Sequence, residues 1–468
     1  MTSIDVSRRA PACGHELAPE PTILARVVAD IGRELDAAGV QHAFLRGIAT
    51  FPELPRGSDV DLCLRRRDLP AFTAVLELIC ARRGATIHGR FRAGFLAQFH
   101  LHAVERDGRH AFLGLDVHTA EAAFGVPFLA ADELFSDRRD ANGLRLPPPA
   151  TSALVDFLTP YLSGSVVHER YASRLKAVLE TRGFGTRARA LARRLLGSRA
   201  GAALCAEIEG ERHDALRARA RRRRCALLAR RFLRAPLGSL GSLAAFGYGV
   251  RLRPLWKPGG RFVVFLGTDG AGKTAVMEAV ASELSAAYRG TEPATYHLRP
   301  GILPQLDRVV HLGRRTQGEA DWSRPHRAAP SGRLLSNLRV AWYALDYFIG
   351  YALRVLPRRR RNALILFDRY FYDYLVDPQR CRVRPGTLLV RLLAPLVPRP
   401  DAVIVISADL EQVQARKQEL APEESARQIA DYEQLAARGE RWHLVRNDGL
   451  VEEAVDSVLR ALFVGRAA

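Results

Sequence analysis

The chain has 468 residues, of which 70 are Lys or Arg and 50 are Asp or Glu, giving a formal net charge of +20. With 48% hydrophobic and 26% charged residues, its composition is typical of globular proteins and excludes a disordered or collagen-like chain. No apolar run approaches the ~20 residues that span a bilayer, the first residues lack a signal-peptide core, and the six cysteines form no Cys-x-x-Cys pair, so we expect a cytoplasmic protein with reduced thiols.

The positive charge is concentrated in the middle of the chain. Residues 1–150 carry 18 basic and 19 acidic residues, residues 151–259 carry 22 and 7, and residues 260–468 carry 30 and 24. These shifts, with Pro147-Pro-Pro and the linker-like Lys257-Pro-Gly-Gly, divide the chain into three predicted regions. They are an α/β domain over 1–150, a basic helical connector over 151–259 and a second α/β domain over 260–468.

The first region is predicted to combine a helix with several strands. Apolar spacing predicts a helix over Ile23–Leu35, and shorter apolar or alternating runs predict four strands. These strands are His42–Leu45, Asp59–Leu64, Phe95–Val104 and Ala111–Val117. The last two strands are joined by Arg106-Asp-Gly-Arg, a sequence typical of a hairpin turn.

Three carboxylates of this region form a candidate metal site. Asp59 and Asp61 lie two residues apart on one predicted strand and so share a face, while Asp116 ends a later strand. Three converging carboxylates would suit one or two Mg²⁺ ions that hold a nucleoside triphosphate, whereas solvated strand-end charge is the plain alternative. The pattern resembles the nucleotidyltransferase superfamily over about residues 20–180, with Gly47 as the loop glycine. We interpret His118 and His311 as ordinary polar residues.

The middle region is predicted to be helical and strongly basic. The predicted helical stretches are Ser152–Leu162, Tyr171–Leu179, Arg187–Leu196 and Gly201–Leu233. Arginines crowd residues 214–234, and the following Gly238–Val250 is uncharged. Residues 214–250 either form a solvated helical face or lie on an anionic membrane surface at the inner face of the membrane. Nucleic-acid binding is disfavoured, because no aromatic platform is interleaved with the arginines.

The third region contains a phosphate-binding motif. Residues Gly267-Thr-Asp-Gly-Ala-Gly-Lys-Thr274 match G-x-x-x-x-G-K-[ST], between a predicted strand over Arg261–Gly267 and a predicted helix over Lys273–Tyr288. Glycines let backbone N–H groups converge on a phosphate, the lysine reaches the β- and γ-phosphates, and the threonine hydroxyl can bind Mg²⁺. The motif therefore predicts that the loop binds a nucleotide, with Mg²⁺ at the threonine hydroxyl. Its nucleotide-binding residues are Gly267, Asp269, Gly270, Ala271, Gly272, Lys273 and Thr274.

The rest of this region alternates strands with helices. Further predicted strands are Ala294–Leu298, Ala363–Phe367, Asp401–Ser407 and Trp442–Arg446, and predicted helices include Leu334–Val355, Leu410–Leu420 and Val451–Phe463. Such alternation predicts βαβ units and a parallel sheet. Asp368 and Arg369 end one strand, where they can meet metal and phosphate, and Arg416-Lys417 can close over a transferring phosphate.

Residues 260–465 resemble the thymidylate kinase family of P-loop kinases. The resemblance rests on the glycine-rich motif, on Asp368-Arg-Tyr and on Arg399-Pro-Asp leading to Asp409-Leu-Glu. It implies a five-stranded parallel sheet, ATP-Mg²⁺ as phosphoryl donor, catalytic roles for Lys273, Asp368 and Arg369, and a lid. The implied lid residues are Arg416, Lys417 and Arg427.

The acceptor half departs from this family. His297-Leu-Arg-Pro replaces the usual Arg-Glu-Pro run, Asp346-Tyr347 replaces an Asp-Arg pair, and the insertion Ile302–Asn337 lies where the acceptor should bind. The sequence therefore favours a kinase for a nucleotide-like or other small acceptor. The alternatives are a nucleotidyltransferase with an ATP-binding accessory domain, and a membrane-surface assembly module without turnover.

Overall fold

The structure is a computed structural model that describes residues 20–55, 57–285, 293–304, 306, 332–417 and 420–464. These residues form two five-stranded sheets, each covered by helices, and two small hairpins. Within the described ranges, no helix combines the length and the apolar character needed to cross a membrane.

The first sheet is mixed and lies in the N-terminal region. Its strands are β1 (His42–Arg46), β2 (Ser58–Leu64), β3 (Ala85–Ala93), β4 (Leu96–Val104) and β5 (His110–His118). The order is β1-β2-β5-β4-β3; β2 and β5 run parallel and the other neighbours antiparallel. The four predicted strands are confirmed. β3 had no clear signal in the sequence, because an irregularity between Ile87 and Gly89 interrupts its alternation.

One face of this sheet is covered by two helices, Ile23–Ala37 and Leu69–Arg83. Val27 and Leu76 of these helices are buried in one core with Val60 and Leu62 of β2. Because successive strand residues point to opposite faces, this packing leaves Asp59 and Asp61 on the other face. The predicted first helix is confirmed. Two hairpins, β6 (Ala120–Ala123) with β7 (Val126–Ala130) and β8 (Arg139–Ala141) with β9 (Leu144–Leu146), and the helix Ala131–Phe135 complete the region.

The basic middle region is helical, as predicted, and packs against the first region. Its helices are Pro149–Gly164, Glu169–Glu180, Phe184–Leu196, Ser198–Glu209, His213–Arg234, Pro236–Gly247 and Arg253–Trp256, with a π-helical turn over Tyr248–Leu252. The stretch predicted over Gly201–Leu233 is interrupted at Gly210 and Glu211, where Glu211 has a φ of +52°. Helical residues from Leu154 to Leu227 share one hydrophobic core with Ala43 and Cys63. The proposed boundary at residue 150 therefore falls within a continuous core, and the three domain bounds stay a prediction.

The second sheet is parallel throughout, and this prediction is confirmed. Its strands are β10 (Phe262–Leu266), β11 (Ala294–His297), β12 (Ile365–Asp368), β13 (Ala402–Ser407) and β14 (Trp442–Arg446). The order is β11-β12-β10-β13-β14, so β10 lies at the centre and delivers the glycine-rich loop between its two neighbours. Every residue of β10 is buried, which explains its continuous apolar sequence.

Helices cover both faces of the parallel sheet. They are Lys273–Ser285, Arg333–Gly350, Leu356–Arg360, Asp373–Val376, Leu388–Leu393, Leu410–Arg416, Pro422–Ala436 and Val451–Phe463. Val264 and Tyr347 share the core on one face, and Val263 and Val458 share the core on the other. The helix predicted over Leu410–Leu420 ends at Arg416, and residues 418–419 lie outside the described ranges.

The first sheet packs against the last helix, Val451–Phe463, through a cluster of aromatic rings. Phe463, from the last helix, stacks on His102 with ring centroids 5.0 Å apart and contacts Phe112 at 5.3 Å. His102 Nε2 lies 2.8 Å from His110 Nδ1, and His110 Nε2 lies 2.9 Å from Asp456 Oδ1. Burial, and to a smaller extent the charge of the neighbouring His110, lowers the pKa of His102 to about 3. The neutral imidazole is therefore the form that joins the two regions.

Candidate functional site

The glycine-rich loop needs glycine at three positions. Gly267, Gly270 and Gly272 have φ values of +139°, +90° and +83°, a range that L side chains rarely adopt. The loop is also tightly enclosed. A Cβ on Gly267 would overlap the Ile406 carbonyl oxygen, and one on Gly270 would lie 2.7 Å from the Val413 carbonyl oxygen. The loop is thus built as a close-fitting backbone cradle at the carboxyl end of β10.

Lys273 begins the helix that follows the loop and is buried. Its Nζ donates a 2.6 Å hydrogen bond to the Thr268 carbonyl oxygen and lies 3.8 Å from Asp269. Burial, with the nearby charge of Arg369, lowers the pKa of Lys273 to about 7. The ammonium therefore lacks full charge compensation inside the loop, and an anion at this position would supply it.

Thr274 and Asp368 face each other beside Lys273. Thr274 Oγ1 lies 3.5 Å from Asp368 Oδ2, and His297 Nδ1 lies 3.4 Å from the same carboxylate oxygen. Burial opposes ionisation of Asp368, but the hydrogen bond to His297 and the charge of Lys273 outweigh it and lower the pKa of Asp368. The predicted hydroxyl and carboxylate donors of the metal site are therefore close together, with the carboxylate ionised.

Asp269 organises two arginines at the mouth of the loop. Its carboxylate forms short ion pairs with Arg369 and Arg380. Although burial opposes it, the charges of Arg369, Lys273 and Arg380 hold the pKa of Asp269 well below its usual range. Arg369 also donates to Asp373 at 2.7 Å, so its guanidinium is fixed from two sides. Arg380 carried no sequence signal, because it lies 111 residues from Asp269.

The predicted lid residues Arg416 and Lys417 lie next to the loop. Arg416 Nη1 donates a 3.2 Å hydrogen bond to the Asn447 carbonyl oxygen, and the Lys417 Cβ would lie 3.4 Å from a Cβ on Gly270. Asn447, which sequence reasoning missed, donates from Nδ2 to the Ala271 carbonyl oxygen at 2.8 Å. Arg427 forms ion pairs with Glu424 and Asp431, and its lid role stays a prediction.

The residues present fit ATP and Mg²⁺. Among the described residues, three buried side-chain oxygens around the loop have no hydrogen-bond partner: Thr268 Oγ1, Asp368 Oδ1 and Asn447 Oδ1. Buried polar atoms of folded proteins are normally paired, so these three oxygens have hydrogen-bonding or metal-binding capacity available for a bound group. The hydroxyl of Thr274 and the carboxylate of Asp368 are oxygen donors of the kind that Mg²⁺ takes, and the glycine cradle has the shape that a phosphate needs.

At the position predicted for the acceptor, residues of this chain form a hydrogen-bond network around Asp346. Asp346 is fully buried and accepts from the backbone N–H groups of Gly301, Ile302 and Leu303 at 3.1, 2.8 and 2.7 Å. Arg299 lies over the Tyr343 ring at 4.2 Å and donates to Asp346 at 3.3 Å. Most of the insertion that follows, residues 307–331 with His311, lies outside the described residues.

The N-terminal carboxylates are only partly grouped in the structure. Asp61 and Asp116 are register partners on the parallel strands β2 and β5, and their oxygens lie with a His118 nitrogen within 4.8 Å of one another. Asp59 packs over Gly114, two register pairs away along the strands, and lies outside this group. His118 was set aside in the sequence, although its spacing of two from Asp116 places both on one face.

The carboxyl groups of Asp61 and Asp116 have their pKa values shifted in opposite directions. Burial raises the pKa of Asp61, but the hydrogen bond to His118 and the charge of Arg46 outweigh it and lower that pKa to about 2. Burial and the charge of Asp61 raise the pKa of Asp116 to about 6. His118 Nδ1 also lies 3.8 Å from Glu121 Oε1, which has no hydrogen-bond partner among the described residues. A divalent cation between Asp61 and Asp116 would relieve their repulsion.

The group opens into a cleft of about 1070 Å³ with several basic walls. The basic residues that line it are Arg46, Arg139, His168, Arg170 and Arg174. Gly47 lies at its edge with a φ of +78°, and a Cβ there would overlap the Asp59 carbonyl oxygen, so this loop requires glycine. A volume of this size accepts a nucleotide-sized anion.

Comparisons with known proteins found similar solved structures but no matching sequence family. No family model matches the chain, and no curated protein matches it. A thymidylate kinase from Ehrlichia chaffeensis is 19% identical with a TM-score of 0.31, covering 44% of this chain and all of that one. A thymidylate kinase from Candida albicans is 15% identical with a TM-score of 0.32, covering 43% of this chain and 90% of that one.

Proposed function

We propose that the protein is an ATP-dependent phosphotransferase whose active centre is the glycine-rich loop at the end of β10. The observation that carries the proposal is the cradle itself: three glycines with positive φ enclose a position next to the buried Lys273 and the Thr274–Asp368 pair. Bound ATP would supply the γ-phosphoryl group, and Mg²⁺ would neutralise its charge.

The chain's own residues have separate tasks in this proposal. Lys273 exchanges its hydrogen bond with the Thr268 carbonyl oxygen for one with a phosphate oxygen, and its charge is then compensated. Thr274 and Asp368 hold the cation. Asp269 fixes Arg369 and Arg380 so that their guanidinium groups need no reorganisation when negative charge develops in front of them.

The lid and the acceptor side complete the proposal. Arg416 and Lys417 lie beside the loop and cover the phosphates from the helix Leu410–Arg416. The acceptor is a nucleotide-like or other small molecule. Arg299, held by Asp346 and Tyr343, is a fixed cation on the side of His297 and favours an acceptor that carries a phosphate group. A thymidine monophosphate acceptor is one member of this class.

The test is consumption of ATP in the presence of separate acceptors: nucleoside monophosphates, sugars and sugar phosphates. We expect ADP release above the acceptor-free rate with one of these classes. The variant Lys273→Ala should lose that release, and Lys257→Ala, an exposed lysine in the linker, should retain it. ADP release that is equal in wild type and Lys273→Ala would contradict the proposal.

A second candidate function is nucleotidyl transfer in the N-terminal cleft. The grouping of Asp61, Asp116 and His118 in a cleft with basic walls favours it. It predicts pyrophosphate release from a nucleoside triphosphate that Lys273→Ala retains and that Asp61→Asn or Asp116→Asn abolishes. Pyrophosphate release that is unaffected by both carboxylate variants would exclude this function.

A further inference from the structure

The segment from Pro236 to Trp256 presents its apolar side chains to solvent. We call it the apolar ridge; it consists of the helix Pro236–Gly247, the π-helical turn Tyr248–Leu252 and the helix Arg253–Trp256. Leu237 and Trp256 are 83% and 71% exposed. The other exposed large apolar residues of the ridge are Leu240, Leu243, Tyr248, Val250, Leu252 and Leu255. Eight exposed large apolar residues within one segment are unusual, because such residues normally occur singly on the surface of a globular protein.

Small residues fix the orientation of the apolar ridge. Gly249 lies so close to β3 that a Cβ on it would be 2.7 Å from the Ala93 Cα, and a Cβ on Gly125 would overlap Phe246. Of the residues in the ridge, only Ser239, Gly249 and Pro254 are buried. The ridge therefore faces the protein with its small residues, which allow close backbone contact. If the leucines turned inward, this close backbone contact would be lost.

The charged side chains of the ridge and of the chain before it, from residue 215 onward, are all positive. Residues 215–260 contain twelve basic and no acidic side chains. Part of this charge is used inside the protein, since Arg223 is buried against Glu207 at 2.8 Å. The exposed arginines of this stretch include Arg217, Arg221, Arg222, Arg230, Arg234 and Arg251. A leucine-rich stripe flanked by arginines, with Tyr248 and Trp256 on it, has the chemistry of a helix that lies in a membrane interface.

We propose that the apolar ridge docks the protein on an anionic lipid bilayer. The leucines and Trp256 enter the boundary between headgroups and acyl chains, and the exposed arginines of the helix His213–Arg234 contact the anionic headgroups. At 1.5 Å per residue, the 21-residue ridge is roughly 30 Å long, and it lies along the surface. This inference is independent of the phosphotransferase proposal, because it uses none of the residues of the glycine-rich loop.

The test is co-sedimentation of the full chain with vesicles of equal parts phosphatidylcholine and phosphatidylglycerol, compared with phosphatidylcholine alone. We expect binding to the mixed vesicles that weakens as salt is added, since headgroup attraction is screened. The variant Leu237→Gln/Leu240→Gln/Leu243→Gln should bind at least about 100-fold more weakly, because three leucines no longer enter the apolar layer. Its thermal unfolding should match that of wild type, because these side chains are exposed in the folded state.

A matched control replaces three other exposed leucines outside the ridge, as Leu78→Gln/Leu388→Gln/Leu396→Gln, and should leave vesicle binding unchanged. The variant Arg221→Gln/Arg222→Gln/Arg234→Gln should lose binding to the anionic vesicles. The proposal would be overturned if the wild-type protein bound neither the mixed vesicles nor the phosphatidylcholine vesicles. Equal binding to the two kinds of vesicle would also overturn it. A concentration-dependent dimer that the ridge variant abolishes, with no vesicle binding, would instead identify a second copy of the chain as the partner and would also overturn it.

Discussion

Replacing Gly272 by alanine should disrupt the glycine-rich loop through steric overlap and through backbone strain. The new Cβ would overlap Asn447 Nδ2, the amide that donates to the Ala271 carbonyl oxygen at 2.8 Å. The residue would also keep a φ of +83°, which costs an L side chain about 1–2 kcal/mol. Breaking the amide hydrogen bond leaves buried polar groups unpaired, at about 1–3 kcal/mol. We therefore expect the free energy of unfolding to fall by roughly 2–5 kcal/mol.

ATP binding should fall by at least about 100-fold in Gly272→Ala, because the overlap displaces the backbone that receives the phosphates. Isothermal titration with ATP and Mg²⁺ measures this, and denaturant unfolding measures the stability. Gly241→Ala is the matched control, since an added Cβ there meets nothing within 4 Å. It should bind ATP as wild type does.

A double variant separates the overlap from the strain. In Gly272→Ala/Asn447→Ala the amide is gone, so the new Cβ has room and the combined loss of stability should be smaller than the sum of the single losses. Strictly additive losses would refute the argument from overlap. ATP affinity in Gly272→Ala within threefold of the wild-type value would refute the role of the cradle.

Two further predictions concern the N-terminal region. Because folding lowers the pKa of His102 to about 3, the unfolded chain binds more protons than the folded one below pH 6.5, and the free energy of unfolding falls as the pH falls. From pH 7 to pH 5, His102 alone should lower the free energy of unfolding by about 2 kcal/mol. The measurement is the difference in unfolding free energy between wild type and His102→Phe, compared at pH 7 and pH 5. The same pH slope in both proteins, or a changed slope in the control His213→Phe, would contradict it. The second prediction concerns Mn²⁺ binding, measured by titration calorimetry in a Lys273→Ala background. Mn²⁺ binding should weaken at least about tenfold in Asp61→Asn and in His118→Gln, but not in the control His168→Gln. Unchanged binding in Asp61→Asn and His118→Gln would show that this group is not a cation site.

Local patterns in the sequence predicted the phosphate-binding loop well. The residues from Gly267 to Thr274 are contiguous, and the flanking strand and helix each have their own periodicity, so one short window contains the whole cradle. The parallel sheet was predictable for a related reason. Its central strands β10 and β13 are buried along their whole length, and each is a short continuous apolar run between helical patterns.

Partners that join the loop from distant parts of the chain could not be predicted. Arg380 pairs with Asp269 across 111 residues, and Asn447 pairs with Ala271 across 176. Neither residue belongs to a local pattern, because an arginine or asparagine after a strand or in a turn is common in any surface segment. Only the folded sheet, which aligns the carboxyl ends of its strands, brings them to the loop.

The N-terminal group was half predictable. Alternation along β2 placed Asp59 and Asp61 on one face, and Asp116 was expected at the end of a later strand, but the register between the two strands could not be predicted. In the observed register Asp61 faces Asp116 and Asp59 faces Gly114, so the third member of the group is His118. The middle region shows a similar limit, because its arginine content gave no information on the core that its leucines share with β1 and β2.

Transfer of labelled γ-phosphate from ATP to an acceptor, followed as labelled product, tests the central claim most directly. With the acceptor class that stimulates ADP release, wild type and Lys257→Ala should form the labelled product at equal rates, and Lys273→Ala should form it at least about 100-fold more slowly. Labelled product that Lys273→Ala forms as fast as wild type would contradict the account.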